Sequence, residues 1–123
     1  MSKYNSRKCE YEGITFDSKK EMKRYIFLKE MEKQGKIRNL KRQVKYVLID
    51  AKREPSTYNS KGREILGKVI ERECAYIADF QYVCEDSLIV EDVKGYRMGG
   101  AYSVFTIKRK LMLDRYGIRV NEV

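Results

Sequence analysis

Two apolar runs that follow each other closely, residues 76–84 and 87–94, limit the folds open to this chain more than any other feature. A short acidic turn at Glu85 and Asp86 joins them, and both runs are rich in the β-branched and aromatic residues that strands favour. The second run begins with Leu, Ile and Val in succession, which indicates a strand buried on both faces. The simplest arrangement is an antiparallel hairpin within a sheet.

Two other segments carry apolar residues at helical spacing. The pattern in residues 19–34 predicts a helix that stops at Gly35, and the pattern in residues 104–117 predicts a helix that ends at Gly117. Further segments have the composition of strands, or of a small hairpin in the first case: 8–16, 37–40, 43–50, 68–84 and 118–120.

The order of these elements predicts an α/β or α+β fold in which helices flank a central mixed β-sheet. A chain of 123 residues has the length of one domain, so we expect a single domain over residues 1–123. Residues 51–67 contain the only proline and four basic side chains, and they are predicted to form a mobile, basic hairpin loop.

Charge and composition narrow the function classes. Lysine and arginine outnumber aspartate and glutamate 27 to 18, a net charge of +9 that favours a polyanionic partner such as DNA. No apolar run is long enough to span a bilayer and the polar N-terminus is unlike a signal peptide, so we expect no membrane partner and a cytoplasmic location. Three cysteines without CxxC spacing, and no histidine, support neither a zinc site nor a disulfide framework.

The absence of histidine also excludes Ser-His and Cys-His nucleophiles and leaves carboxylates, lysine or a metal ion for catalysis. Asp92 and Lys94 lie two residues apart on one predicted strand, so their side chains share a face, whereas Glu91 points to the other face. Counting outward from the acidic turn places Asp79 opposite Asp92. Two facing carboxylates raise each other's pKa unless a cation lies between them.

An oxygen-only ligand set suits Mg²⁺, or Mn²⁺ in its place, better than zinc. Such an ion could orient a phosphate and lower the pKa of a water molecule, and Lys94 could hold that water and stabilise negative charge. On spacing alone, a charged end of an ordinary strand explains the pattern equally well.

The segments ADF (78–80) and EDVKG (91–95) resemble the signature of the PD-(D/E)xK nuclease superfamily, with Ala78 where the superfamily's name has proline. Residues 16–46, the later FTIKRKLM and the order of the motifs are similar to a family of small phage and prophage proteins of unknown function in that superfamily. The resemblance implies a restriction-endonuclease-like core and Mg²⁺-dependent cleavage of DNA, with Asp79, Asp92 and Lys94 at the site. For a phage protein the location would be the host cytoplasm.

Members of that superfamily often add an acid from the first helix, and Glu21 matches it in position. Glu21 also completes a capping box with Ser18, and the two roles are compatible. Glu91 would replace Asp92 as a ligand if a β-bulge shifted the register.

Basic and amide side chains near these motifs are candidates for contact with nucleic acid. Lys108 is the strongest because it shares a helix face with apolar Phe105, and a weak match to a recurrent glutamine of such nucleases adds Gln43. Arg97 and Arg109 complete the set. The predicted function is a magnesium-dependent endodeoxyribonuclease, structure-selective for branched or junction DNA in phage replication, recombination or packaging. A non-catalytic nucleic-acid-binding protein with the same fold is the alternative, and a homodimer is reasonable because many such nucleases cut two strands.

Overall fold

The structure is a computed structural model that describes residues 8–95 and 97–123. The order of its elements follows the predicted one, with a first helix, several strands, a second helix and a last strand. In chain order they are β1 (Cys9–Tyr11), β2 (Ile14–Phe16), α1 (Lys19–Lys33), β3 (Arg38–Ile49), β4 (Lys52–Arg53), β5 (Thr57–Tyr58), β6 (Glu64–Ile65), β7 (Val69–Glu71), β8 (Cys74–Cys84), β9 (Ser87–Asp92), α2 (Gly99–Tyr116) and β10 (Val120–Glu122).

A four-stranded mixed sheet in the order β10-β9-β8-β3 forms the centre of the molecule. Strand β8 pairs antiparallel with both β3 and β9, whereas β10 runs parallel to β9 with Val120 opposite Val90. The α+β fold with a central mixed sheet is therefore confirmed. No helix within the described residues has both the length and the apolar character needed to cross a membrane.

The β8–β9 hairpin has the predicted acidic turn. Cys84 pairs with Ser87, and the two residues between them, Glu85 and Asp86, have φ values of 48° and 67°. Positive φ at both central positions is the signature of the two-residue turn whose twist matches that of the flanking strands. The turn fixes the register, which brings Phe80 opposite Glu91.

Two clusters of buried side chains make up the core, one beside each helix. Phe16, Leu28 of α1 and Phe80 belong to the first cluster. Ala78 and Met112 of α2 belong to the second. Strand β8 contributes to both clusters, and the division falls at Asp79, between Ala78 and Phe80.

Helix α1 follows the predicted bounds closely, because its start and end signals are local. Ser18 is the N-cap, and its Oγ accepts a hydrogen bond of 3.1 Å from the N–H of Glu21. The helix ends at Lys33, and the N–H of Gln34 bonds to Glu30.

Several strand boundaries differ from the prediction. The segments 37–40 and 43–50 form one strand, β3, which continues through Asn39 and Gln43 although both have positive φ. The segment predicted as one strand over 68–84 divides at Arg72 and Glu73, because its first part pairs with β4 outside the central sheet. The last strand is β10 rather than 118–120.

Helix α2 begins at Gly99, five residues before the predicted start. Glycine has low intrinsic helix propensity, so the sequence predicts a loop at Gly99 and Gly100. They occupy the first turn of the helix, and both are exposed. Gly117 ends the helix in the left-handed conformation, as predicted.

Residues 52–71 leave the central sheet, form short antiparallel strand pairs and connect β3 to β8. They are called the arm below. Strands β4 and β7 pair antiparallel near its base, and β5 and β6 pair near its tip. A Cβ atom on Gly67 would lie 2.0 Å from the carbonyl oxygen of Glu54, so only glycine fits where the two strands approach. The predicted basic hairpin is present and extends beyond residue 67, and its mobility stays a prediction.

Candidate active site

The carboxylates of Asp79 and Asp92 come from neighbouring strands. They lie one step beyond the last paired residues, Phe80 and Glu91, and so face each other across the hairpin as counted from the turn. Asp79 Oδ2 accepts a hydrogen bond of 2.8 Å from the N–H of Val93, the residue after Asp92. This bond ties the first carboxylate to the backbone beside the second.

Asp92 and Lys94 form an ion pair with an Nζ–Oδ2 distance of 2.6 Å, although β9 ends at Asp92. The other carboxylate oxygen of Asp92 accepts a bond of 2.8 Å from the hydroxyl of Tyr76. The ammonium of Lys94 also lies 3.5 Å from the centre of the Phe105 ring, a cation–π contact. The lysine is thus held between a carboxylate and an aromatic ring.

Asp92 and Lys94 open onto a pocket of about 350 Å³ between β8 and α2. Lys108 of α2 lines the same pocket, on the side formed by the helix. Tyr76 and Phe105 form apolar parts of the wall. The pocket therefore combines one carboxylate with two ammonium groups on a largely apolar lining.

Glu21 reaches this region from the first turn of α1 and is 5% exposed. Gln43 joins it to Asp79: the Gln43 carboxamide nitrogen lies 3.1 Å from Glu21 Oε1 and 3.4 Å from Asp79 Oδ1. Gln43 has φ of 50°, an uncommon conformation for a non-glycine residue within a strand. Backbone strain of this kind is found where the surrounding structure fixes a side chain in a functional direction.

Arg42 lies on the other side of Glu21, with 3.7 Å between Nη2 and Oε1. The guanidinium group stacks on Phe16, 4.4 Å from the ring centre. Burial raises the pKa of Glu21, Arg42 opposes that effect, and the charges of Asp17 and Asp92 add to it. Glu21 is therefore both an N-terminal residue of α1 near its cap and a third negative charge at the site.

The pKa of Asp79 is raised from 3.8 to about 7. Burial is the largest cause, and the charges of Asp92 and Glu21 add to it. The hydrogen bonds from the Val93 N–H and from Gln43 lower the pKa and offset only part of the rise. A cation near Asp79 would offset the part of this rise that comes from the charges of Asp92 and Glu21.

Glu91 lies on the opposite face of β9, as strand alternation predicts. Its Oε1 accepts a hydrogen bond of 2.8 Å from Arg24 Nε, and its Oε2 accepts one from the Tyr82 hydroxyl. The side chain is 1% exposed. The register shift that would have made Glu91 the ligand in place of Asp92 is absent from this hairpin, so that alternative is wrong.

The predicted nucleic-acid-binding residues separate into different places. Lys108 lines the pocket with Asp92, whereas Gln43 lies among the carboxylates. Arg97 and Arg109 both face Glu122 of β10, at 3.9 and 3.2 Å. Their contact with nucleic acid stays a prediction.

Sequence reasoning missed three residues that hold the site together: Tyr76, Phe105 as the support of Lys94, and Arg42. Tyr76 is three residues before Asp79, and only the three-dimensional course of the hairpin brings its hydroxyl to Asp92. Lys20 also donates a hydrogen bond to the carbonyl oxygen of Lys94, which links α1 to the end of β9.

The carboxylate groups at the site can be compared with the ligands that a metal ion requires. Among residues 8–95 and 97–123, no group of three or more His, Cys, Asp or Glu side chains is arranged to hold a metal ion. Mg²⁺ is commonly held by only one or two carboxylates, with water and substrate phosphate completing its shell. Asp79 and Asp92 supply such a pair of carboxylates, facing each other across the hairpin.

A family model described as a protein of unknown function, DUF1064, matches residues 1–121. The chain belongs to the DUF1064 family. No curated protein and no solved structure matches this DUF1064 protein. The expected membership in a family of unknown function is confirmed, and the nuclease superfamily remains a proposal.

Proposed function

We propose that this protein is a metal-dependent endodeoxyribonuclease that hydrolyses phosphodiester bonds in DNA. The observation that carries the proposal is the convergence of Asp79, Asp92 and Lys94 beside one pocket, with Asp79 bonded to the backbone next to Asp92 and Lys94 paired with Asp92. A net charge of +9 supplies the attraction for a polyanion.

In this proposal Asp79 and Asp92 hold Mg²⁺, with Mn²⁺ as a substitute. A divalent ion bound there would neutralise charge on phosphate oxygens and lower the pKa of a water molecule. Glu21 adds negative charge nearby, and its Oε1 is already engaged by Gln43. Gln43 keeps Glu21 and Asp79 at a fixed separation and so preorganises the acidic side of the site.

Lys94 would stabilise the negative charge that develops on the phosphate during attack, because its ammonium lines the pocket and is held there by Asp92 and Phe105. Lys108 would orient a neighbouring phosphate from the helix side. In the net reaction the oxygen of water bonds to phosphorus and the bond from phosphorus to the leaving oxygen breaks. One proton of the water ends on the leaving oxygen and the other is released to solvent.

We further propose that the enzyme selects its substrate by backbone and shape rather than base sequence, with branched and junction DNA as substrates in phage replication, recombination or packaging. The test is a panel of supercoiled plasmid, flapped duplex and four-way junction, each with Mg²⁺ and with EDTA. Wild type should cut at least one substrate only with Mg²⁺, and Asp79→Asn and Lys94→Met should lose cutting by a factor of about 100 or more.

Lys36→Ala provides the matched control, because Lys36 is an exposed lysine in the turn after α1 and its removal changes the net charge as Lys94→Met does. Calorimetric titration with Mg²⁺ gives a readout independent of cutting. Asp79→Asn should bind Mg²⁺ more weakly than Lys36→Ala does. Folded wild type that neither cuts any substrate nor binds Mg²⁺ would refute the proposal. DNA affinity that persists without metal binding would instead support the non-catalytic alternative.

A further inference from the structure

The arm carries an unusual combination of side chains. All of residues 52–71 are exposed except Ser56 and Gly67, which are half-buried. Large apolar side chains nevertheless lie along it, with Tyr58 68%, Leu66 60% and Ile70 57% exposed. A small domain rarely leaves a contiguous set of such residues in water unless they meet a partner.

Basic side chains accompany these apolar ones. Within the described part of the chain, no ion pair joins Lys61 or Arg63 to a carboxylate. Basic residues outnumber acidic residues along the arm: Lys52, Arg53, Lys61, Arg63 and Lys68 against Glu54, Glu64 and Glu71.

Hydrogen bonds made by Asn59 fix the backbone of the turn that carries Lys61 and Arg63. Asn59 Oδ1 accepts hydrogen bonds from the backbone N–H groups of Lys61, at 2.9 Å, and Arg63, at 3.0 Å. The backbone N–H of Asn59 in turn bonds to the carbonyl of Arg63 at 3.0 Å. The turn therefore places an exposed lysine and an exposed arginine, two residues apart, at the end of a two-stranded ribbon.

The arm leaves the sheet on the side of the candidate active site. It joins β8 at Cys74, and the next residues, Ala75 and Tyr76, already line the pocket that contains Asp92. Cys74 precedes Asp79 by five positions, or about 17 Å of strand. This length equals about five base pairs of duplex DNA at 3.4 Å each.

We propose that the arm lies in a groove of duplex DNA next to the cleavage site, so that the substrate must include a double-stranded flank. This inference extends the proposed nuclease function and rests on it, because a cleavage site exists only if the protein cuts DNA. A two-stranded ribbon fits the major groove, which is about 12 Å wide, and its apolar side chains can pack against the groove walls. Lys61 and Arg63 reach phosphates at the groove edge.

A second copy of this chain is a weaker occupant for the same surface. Each copy has a net charge of +9, and pairing two basic arms would bring like charges together. Duplex DNA instead meets both features of the arm, because it offers phosphates to the cations and groove walls to the apolar side chains.

The test compares a double variant, Lys61→Ala with Arg63→Ala, with a matched control, Lys33→Ala with Lys36→Ala, which removes two exposed cations at the far end of α1. Affinity for a 20-base-pair duplex and for one of its strands is measured by fluorescence anisotropy in EDTA, over a range of salt concentrations. Loss of two phosphate contacts should reduce the salt slope by about 1.8 and weaken duplex binding roughly 30-fold at 0.15 M salt. Single-strand affinity should change much less, and the control should keep the wild-type preference for duplex.

Duplex affinity and salt slope equal to those of wild type would overturn the arm proposal, as would an equal loss of duplex and single-strand affinity. A change confined to self-association in sedimentation would assign the arm to a homodimer and also overturn it. Binding is measured without metal, so the arm proposal and the nuclease proposal can be refuted independently. If the arm is needed for duplex binding but the protein cuts no DNA, only the nuclease proposal is refuted.

Discussion

Replacement of Asp79 by Asn should stabilise the folded protein by an amount that grows as the pH rises to 7. The pKa of this carboxyl is raised in the folded state from 3.8 to about 7, so the folded state binds its proton more tightly than the unfolded state does. Stability must then fall as the pH rises between these two values and level off above 7. Asparagine has no such proton, and it keeps an oxygen that can accept the hydrogen bond from Val93.

The size of the effect follows from the two pKa values. A rise from 3.8 to about 7 corresponds to about 4 kcal/mol against the ionised form at about 1.4 kcal/mol per pKa unit. The side chain is half-buried and solvent screens part of this energy, so we expect about 2 kcal/mol at pH 8. The advantage of the variant should be smallest near pH 4.

Urea denaturation followed by circular dichroism, in EDTA and at half-unit steps from pH 4.5 to 8.5, measures this difference. Asp114→Asn is the matched control, because Asp114 is an exposed acid on α2. The absence of histidine simplifies the comparison, since no imidazole titrates in this range. A difference between Asp79→Asn and wild type that stays constant with pH, or wild type being the more stable at pH 8, would show that the reasoning is wrong.

Three further substitutions test other parts of the fold. Ser18→Ala removes the N-cap of α1 and should lower the free energy of unfolding by about 1 kcal/mol in the same urea assay. Arg24→Met leaves Glu91 buried without its cation and should destabilise by about 3–5 kcal/mol in the same assay. Gly67→Val should increase amide hydrogen exchange in the arm, because its side chain would collide with Glu54, while exchange in the central sheet stays slow.

The sequence was sufficient to predict the hairpin and the relation of its acids. The two-residue turn at Glu85 and Asp86 lies between clearly apolar runs, so counting outward places Asp79 opposite Asp92. Alternation along a strand then separates Asp92 from Glu91. These are local rules, and they hold here because both strands are regular up to the site.

Side-chain contacts between residues far apart in the sequence could not be predicted from it. Gln43 reaches two carboxylates only because its backbone adopts a positive φ within a strand, which no residue pattern in β3 signals. Tyr76 and Phe105 looked like ordinary core residues, since aromatic side chains in apolar runs most often are. The early start of α2 was hidden by its two glycines.

The position of Asp79 on a strand shared by both core clusters has a consequence for cooperativity. Ala78 is packed beside α2 and Phe80 beside α1, so opening of either half of the core would displace a direct neighbour of the carboxylate. The acidic site therefore exists only in molecules in which both core clusters are folded. Partly unfolded forms, which populate during synthesis and degradation, would lack the assembled site altogether.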